Sequence, residues 1–128
     1  MTKLFISLGA ILAGLAVASG AFASHALKSQ LTERALVIFE TAAKYQMYHA
    51  LAILFVALLL SSLKESSNLL IVAGFAFIVG IFLFSGSLYA LSLTEIKILG
   101  AITPLGGIAF LLGWGCIAIA AWGLKFTP

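Results

Sequence analysis

Four long apolar runs separated by short polar segments divide this chain. They predict membrane-spanning helices at about residues 4–26, 43–63, 69–91 and 104–124. Each run has roughly the 20 residues that a helix needs to cross a hydrocarbon core of about 30 Å. Pro104 predicts the start of the fourth helix, because proline fits the first helical turn. Trp122 near Lys125 is typical of an anchor at the membrane surface.

The first run has an alternative interpretation. Lys3, the apolar stretch 4–17 and the triplet Ala21-Phe22-Ala23 resemble a signal peptide followed by a cleavage site. The uncharged run continues to Ala26, however, and is longer than a usual signal-peptide core. We therefore expect this run to be kept as a span.

The connection between the first two runs is amphipathic over about residues 31–45. Glu33, Arg34 and Glu40 lie away from a helical face of five apolar residues. These five are Leu31, Ala35, Ile38, Phe39 and Ala42. Thr32 is suited to cap a helix that starts here. Joined to the second run, the segment would make a straight helix of about 45 Å. That is longer than one crossing, so we expect a bend or a separate helix at the membrane interface.

Composition supports a membrane protein. The 128 residues are 63% hydrophobic and 9% charged, with a mean hydropathy of +1.23, whereas soluble domains carry about 25% charged residues. The fold class predicted is therefore an all-α integral membrane protein, a single four-helix bundle over residues 1–128. Four spans place both termini on one side of the membrane, but seven dispersed lysines and arginines do not decide which side. The net charge of +3 forms no basic cluster, which argues against nucleic-acid binding.

Polar side chains that could transfer a proton or bind a ligand concentrate near the start of the second span. Thr41, Tyr45, Tyr48 and His49 share one helical face, and an ionisable group inside a membrane suggests a functional site. His25 ends the first span on the same side of the membrane. The residues that could therefore meet in one polar cluster are His25, Glu40, Thr41, Lys44, Tyr45, Tyr48 and His49. Such a cluster suits a proton path, a polar-ligand pocket or a structural seam, and we favour the seam.

The sequence predicts no catalytic, cofactor or metal site. It contains no aspartate, four glutamates, two histidines and the single cysteine Cys116, whereas a dedicated metal site usually brings three or four ligands. Ser24 precedes His25, but no acid is suitably placed to orient the imidazole.

Small residues predict close helix packing, which drives helix association in lipid. Ala10, Gly14 and Ala18 are spaced by four and continue to Ala21. The other candidate packing positions are Gly86, Gly106, Gly107 and Gly113. Ser85 and Ser87 could line a polar path, but serine in a membrane helix more often bonds to its own or a neighbouring backbone.

Four ordered motifs resemble the membrane family catalogued as domain of unknown function 423, which includes bacterial proteins similar to transmembrane protein 256. The motifs cover nearly the whole chain and are Gly20 to Leu27, Phe39 to Leu51, Phe84 to Tyr89 and Leu99 to Trp114. One departure is Ala23-Ser24, where the family more often has Gly-Ala before the histidine. The resemblance implies a small multi-span membrane protein with no established activity and supplies no catalytic residues.

Three functions remain open. The first is a non-enzymatic accessory or assembly component in the bacterial inner membrane, with the lipid bilayer, a homo-oligomer or a larger membrane complex as its partners. The second is a small carrier or proton-linked channel that uses Glu40, Tyr45 and His49. The third is a membrane enzyme or a binder of a lipid or quinone-like ligand.

Overall fold

The computed structural model describes residues 1–125 and Thr127. Four of its helical segments are long and apolar enough to cross a membrane, as the four apolar runs predict. The four segments are Thr2–Leu27, Glu33–Ser62, Asn68–Thr94 and Lys97–Gly123. The four-span, all-α fold class is confirmed.

Two of the four segments contain a π-helical turn. The first is helix α1 (Thr2–Phe22), which continues into the π-helical segment Ala23–Leu27. The third consists of α3, the π-helical segment Ile81–Gly86 and α4. Helix α3 spans Asn68–Gly80 and α4 spans Ser87–Thr94. A π-helical turn inserts an extra residue into a helix and is frequent at functional sites, and no feature of the hydrophobic pattern had predicted either one.

Helix α2 is one unbroken α-helix from Glu33 to Ser62. The amphipathic segment is therefore its first part, and the expected separate interfacial helix is not formed. The reason is that the apolar face of this segment already has a protein partner. Phe39 is buried in a cluster with Ala23 and Leu27, and Tyr89 packs against it. With that face covered, the segment continues into the second span as one helix of 30 residues, about 45 Å long.

The fourth segment is α5 (Thr103–Ala120), with one 3₁₀ turn before it and another after it. Pro104 lies in its first turn, as predicted. Trp122 follows the helix and is 95% exposed, which suits a membrane-surface anchor. Beyond it the chain returns to the α2–α3 connection, where the Lys64 N–H donates to the Lys125 carbonyl. These contacts place the end of α5 beside the end of α2.

Local capping defines the other helix ends. The Thr32 hydroxyl accepts a hydrogen bond from the Ala35 N–H at 3.2 Å, so the predicted cap of α2 is confirmed. Ser67 caps α3 through the Leu70 N–H in the same way. Helix α4 ends at Glu95, whose φ of 56° is left-handed and stops the helix.

The spans pack in chain order. Helix α1 packs mainly against α2, α2 packs against α3 and α4, and α5 packs against α3 and its π-helical segment. The core lies where α1, α2 and α3 meet, and its largest fully buried apolar side chains are Phe5, Ile53, Val56, Leu70 and Phe77. In contrast, α2 and α5 touch through side chains of His49, Phe110 and Trp114.

Two predicted packing glycines lie in the α5 interface. A Cβ at Gly106 would overlap the backbone of Phe84, and a Cβ at Gly113 would lie 2.5 Å from the Phe77 ring. Gly80 on α3 receives the Phe110 ring of α5 in the same manner. Each of the two helices therefore packs an aromatic ring against a glycine of the other, into what we call a glycine notch. This packing explains their close approach.

The other predicted packing residues are not inside the bundle. Ala10, Gly14 and Ala18 are exposed, and within the described residues no atom of another helix would lie within 4 Å of a Cβ at Gly14. Helix α1 instead buries Phe5, Gly9, Leu12 and Ala16. Space around Gly86 and Gly107 is likewise open. Small size alone does not identify the buried face, because a ridge of small residues fits a neighbouring helix equally well in this chain or in another one.

Candidate functional site

The structure disperses the predicted polar cluster. His25 lies exposed in the π-helical turn that ends α1, and Lys44 is exposed on α2. Glu40 and Thr41 are half-buried, and the Thr41 hydroxyl donates to the Val37 carbonyl of its own helix. The remaining three residues, Tyr45, Tyr48 and His49, line one groove.

His49 lies deeper than the sequence suggested. It follows Glu33 by sixteen residues and precedes Ser62 by thirteen, which places it about 24 Å and 20 Å from the two ends of α2. The side chain is 6% exposed. Its neighbours on α3 and α5 are aromatic residues and not the polar groups expected from the first span.

Both ring nitrogens of His49 are engaged. The Trp114 Nε1–H donates to His49 Nε2 at 3.3 Å, and His49 Nδ1 lies 2.8 Å from the Tyr45 carbonyl oxygen. An indole nitrogen can only donate, so Nε2 must accept and carries no proton. Nδ1 then carries the proton and donates to the carbonyl. This arrangement assigns His49 as the neutral Nδ1–H tautomer.

Aromatic packing holds the imidazole in place. It stacks on the Phe110 ring with centroids 3.4 Å apart and an interplanar angle of 4°. The Phe77 ring lies 5.6 Å away on another side and contacts Trp114 edge-on. Phe110 and Phe77 are the rings that fill the glycine notches, so the position of His49 depends on the close approach of α3 and α5.

A second buried polar contact joins α1, α2 and α4. Gln46 is 5% exposed, its Nε2 donates to the Leu12 carbonyl of α1 at 2.8 Å, and its Oε1 accepts from the Tyr89 hydroxyl at 2.9 Å. Gln46 and Tyr89 were not among the candidate site residues predicted from the sequence. The available signal was an amide inside an apolar helix, because such a group needs partners on neighbouring helices.

The two serines beside Gly86 make structural bonds. Ser85 in the π-helical segment is fully buried and donates to the Ala42 carbonyl of α2 at 2.8 Å. Ser87 shares a hydrogen bond of 2.7 Å with the Thr103 hydroxyl at the start of α5. Both bonds connect helices, in agreement with the packing interpretation of these serines.

The described residues leave no buried side-chain nitrogen or oxygen without a hydrogen-bond partner. In the same part of the chain, no three His, Cys, Asp or Glu side chains come close enough to hold a metal ion. The interior polar groups are thus used to join helices.

An aromatic groove of about 610 Å³ lies between α2 and α5. Tyr45, Tyr48 and His49 form its α2 wall, residues of the range 104–114 form its α5 wall, and Phe84 lies between them. It exists because α2 and α5 both pack on the α3–α4 segment, with only side chains bridging the gap between them. Tyr45 stacks on Phe84 at 4.6 Å. The groove is mainly apolar and opens to the outside of the bundle, where the bilayer lies.

The comparisons with known proteins agree with this architecture. The family described as protein of unknown function (DUF423) matches residues 19–107. The UPF0382 membrane protein YwdK of Bacillus subtilis is 50% identical over 119 residues, which cover 93% of this chain and 96% of that protein. UPF0382 membrane proteins of Staphylococcus epidermidis (46% identical, covering 98% of both chains) and of Staphylococcus aureus strain bovine RF122 (45% identical, covering 94% and 96%) are also similar. No solved structure matches this chain significantly.

The relatives are named membrane proteins, their lengths are almost fully covered, and four helices of this chain are able to span a bilayer. The chain therefore belongs to the DUF423 family, as a multi-pass bacterial membrane protein in a family described only as being of unknown function.

Proposed function

We propose that this chain is a non-enzymatic membrane component that assembles through the outer face of α1, with a second copy of itself or with another multi-span protein. The observation that carries the proposal is the outward orientation of the ridge formed by Ala10, Gly14, Ala18 and Ala21. In lipid, small residues spaced by four allow two helix backbones to approach closely, and the resulting van der Waals packing drives association.

The position of α1 supports this assignment. It lies at the edge of the bundle and packs mainly on one helix, α2, so its opposite face is free for a helix outside the chain. Ile11 and Val17 are 58% and 62% exposed, and apolar side chains of this kind can surround a ridge contact. The sequence from Leu4 to Ser24 contains no charged residue, which suits an apolar partner helix.

The interior supports a role without catalysis or transport. A proton relay needs a group that can give up one proton and accept another, but both nitrogens of His49 are already bonded and its ring is stacked on Phe110. Protonation of Nε2 would place two donors against each other and break the bond from Trp114. The carrier hypothesis therefore has less support than assembly.

Cysteine crosslinking in native membranes tests the proposal. In a Cys116→Ser background, Gly14→Cys and Ala18→Cys introduce thiols on the ridge, and Leu111→Cys introduces one at a 73% exposed position of α5. We expect a short bis-maleimide to join chains through positions 14 and 18 and to leave the Leu111→Cys protein monomeric. Mass spectrometry of the product distinguishes a second copy from a different protein.

A blocking variant provides the control. Replacing Ala10, Gly14 and Ala18 together with leucine should abolish crosslinking through Ala21→Cys, while the helical circular dichroism stays unchanged. Equal crosslinking through positions 14 and 111, or a chain that remains monomeric through every ridge position, would rule the proposal out.

A further inference from the structure

We propose that the groove between α2 and α5 holds one acyl chain of a membrane phospholipid, with its phosphate beside Lys44. This site is separate from the α1 ridge and does not depend on it. The width of the groove, the polarity of its walls and the charge at its mouth each support this occupant.

The groove is too narrow for a helix. It runs from Pro104 to Trp114, ten residues of α5 or about 15 Å, and its two walls are in contact, since the His49 and Phe110 rings stack with centroids 3.4 Å apart. A helix with its side chains is about 10–12 Å wide and cannot lie between walls that touch. A second copy of this chain therefore cannot insert a span here. A hydrocarbon chain can enter, and the bilayer supplies one along the open side.

At the deep end of the groove, the ring nitrogens of Trp114 and His49 are already hydrogen-bonded. Trp114 has one donor, which His49 Nε2 accepts, and the other nitrogen of His49 is bonded to the Tyr45 carbonyl. Phe110 provides only ring surface there. A quinone ring placed at this depth would leave its carbonyl oxygens unpaired, which is unfavourable in a site without water. A methylene chain has no such requirement.

Two tyrosines line the groove on α2, Tyr45 and Tyr48. Long side chains of an α-helix lean toward its N-terminus, so we expect their hydroxyls toward the end where α2 begins and α5 starts, which we call the mouth of the groove. Lys44 is one turn closer to that end than Tyr48 and is exposed. A lysine can lay its methylene stem along apolar surface and hold its ammonium at the membrane interface, where phospholipid phosphates lie. The groove thus has mainly apolar walls, and an exposed lysine lies on α2 one turn before Tyr48.

The two tryptophans of the chain make a direct test. Trp122→Phe leaves Trp114, in the groove, as the only tryptophan. The purified full chain in detergent is titrated with the anionic lipid phosphatidylglycerol, brominated along its acyl chains, and tryptophan quenching is measured. We expect quenching to saturate near one lipid per chain. Lys44→Gln should weaken the apparent affinity about fivefold, the effect of one cation near a membrane surface.

Gly107→Leu should remove the saturable quenching, because a Cβ at Gly107 meets no atom within 4 Å and the larger side chain extends into the groove. Gly86→Leu is the matched control, since it adds the same side chain in open space away from the groove. Unchanged thermal unfolding shows that both variants are folded.

Three results would overturn the inference. Quenching that rises in proportion to lipid and is equal in all variants would mean nonspecific contact with surrounding lipid. Displacement of the brominated lipid by one equivalent of a short-chain quinone would show that the groove binds a quinone ring and not an acyl chain. Unchanged lipid affinity in the Lys44→Gln variant would show that the lipid phosphate does not lie beside Lys44.

Discussion

The inner face of α5 and the outer face of α1 carry the same kind of residue with opposite surroundings. Gly106 and Gly113 of α5 are buried against Phe84 and Phe77, whereas Gly14 of α1 faces open space. Both faces have the small-residue spacing that permits close helix approach in lipid. The comparison teaches that such spacing marks a surface able to pack, and that the position of the helix in the bundle decides whether a neighbour from the same chain occupies it.

The largest effect expected from this difference is at Gly106. In Gly106→Ala the new methyl group would overlap the backbone of Phe84, which cannot move without separating α5 from α3. We expect a loss of about 3 kcal/mol in the free energy of unfolding in detergent, at the upper end for overpacking. Gly107→Ala is the adjacent control in open space, expected to change stability by no more than about 0.5 kcal/mol. Equal stability of the two variants would contradict the close contact.

A smaller loss is expected at Gly113. Its Cβ would meet the ring atoms of Phe77 and not a backbone, and a ring can turn or move where a helix backbone cannot. We expect Gly113→Ala to cost about 2 kcal/mol and Phe77→Leu to relieve part of that cost in the double variant. Gly115→Ala, two residues away with no atom within 4 Å, should unfold like the parent chain. A Gly113→Ala cost that Phe77→Leu leaves unaltered would exclude this ring as its cause.

The α1–α2 contact is expected to depend on a polar bond in addition to the close approach at Gly9. Gln46→Met keeps the volume but removes the bonds to the Leu12 carbonyl and the Tyr89 hydroxyl. We expect a loss of about 1 kcal/mol in the free energy of unfolding. A double-mutant cycle with Tyr89→Phe should give a coupling energy of about 0.6 kcal/mol. Additive effects would show that the two side chains do not interact.

The smallest effect is expected on the α1 ridge itself. Because no atom lies within 4 Å of a Cβ at Gly14, Gly14→Ala should change the unfolding free energy of the detergent-solubilised monomer by less than about 0.5 kcal/mol. Chemical denaturation of monomeric fractions measures this. A loss above 1 kcal/mol would show that the ridge packs inside the bundle, and the contrast with α5 would disappear.

The structure agrees with the sequence wherever the prediction used local information. The Thr32 cap depends on a residue three positions away, and the buried face of Ala35, Phe39 and Ala42 follows from helical periodicity alone. The expected interfacial helix is absent because its apolar face packs on Ala23, Leu27 and Tyr89, and periodicity shows that a face will be covered without showing what will cover it.

The polar contacts between spans could not be predicted from the sequence for the same reason. Trp114 and His49 are 65 residues apart, and Gln46 and Tyr89 are 43 residues apart. Tyr45, Tyr48 and His49 were selected by their shared helical face, but the partners of His49 were expected on the first span and came from the third and fourth. Nothing in the spacing of residues on one helix determines which of its neighbours faces a given side chain.

The sequence by itself determined that lipid surrounds the chain and that the chain has four spans, because both depend on the hydropathy of runs about as long as the bilayer is thick. It also determined the Thr32 cap, because capping acts within one turn. Only the tertiary structure decided which glycines have a neighbouring helix packed against them, which polar groups pair and where the groove opens. In lipid, apolar side chains find lipid and protein almost equally favourable, so the choice between them depends on shape complementarity across helices far apart in the chain.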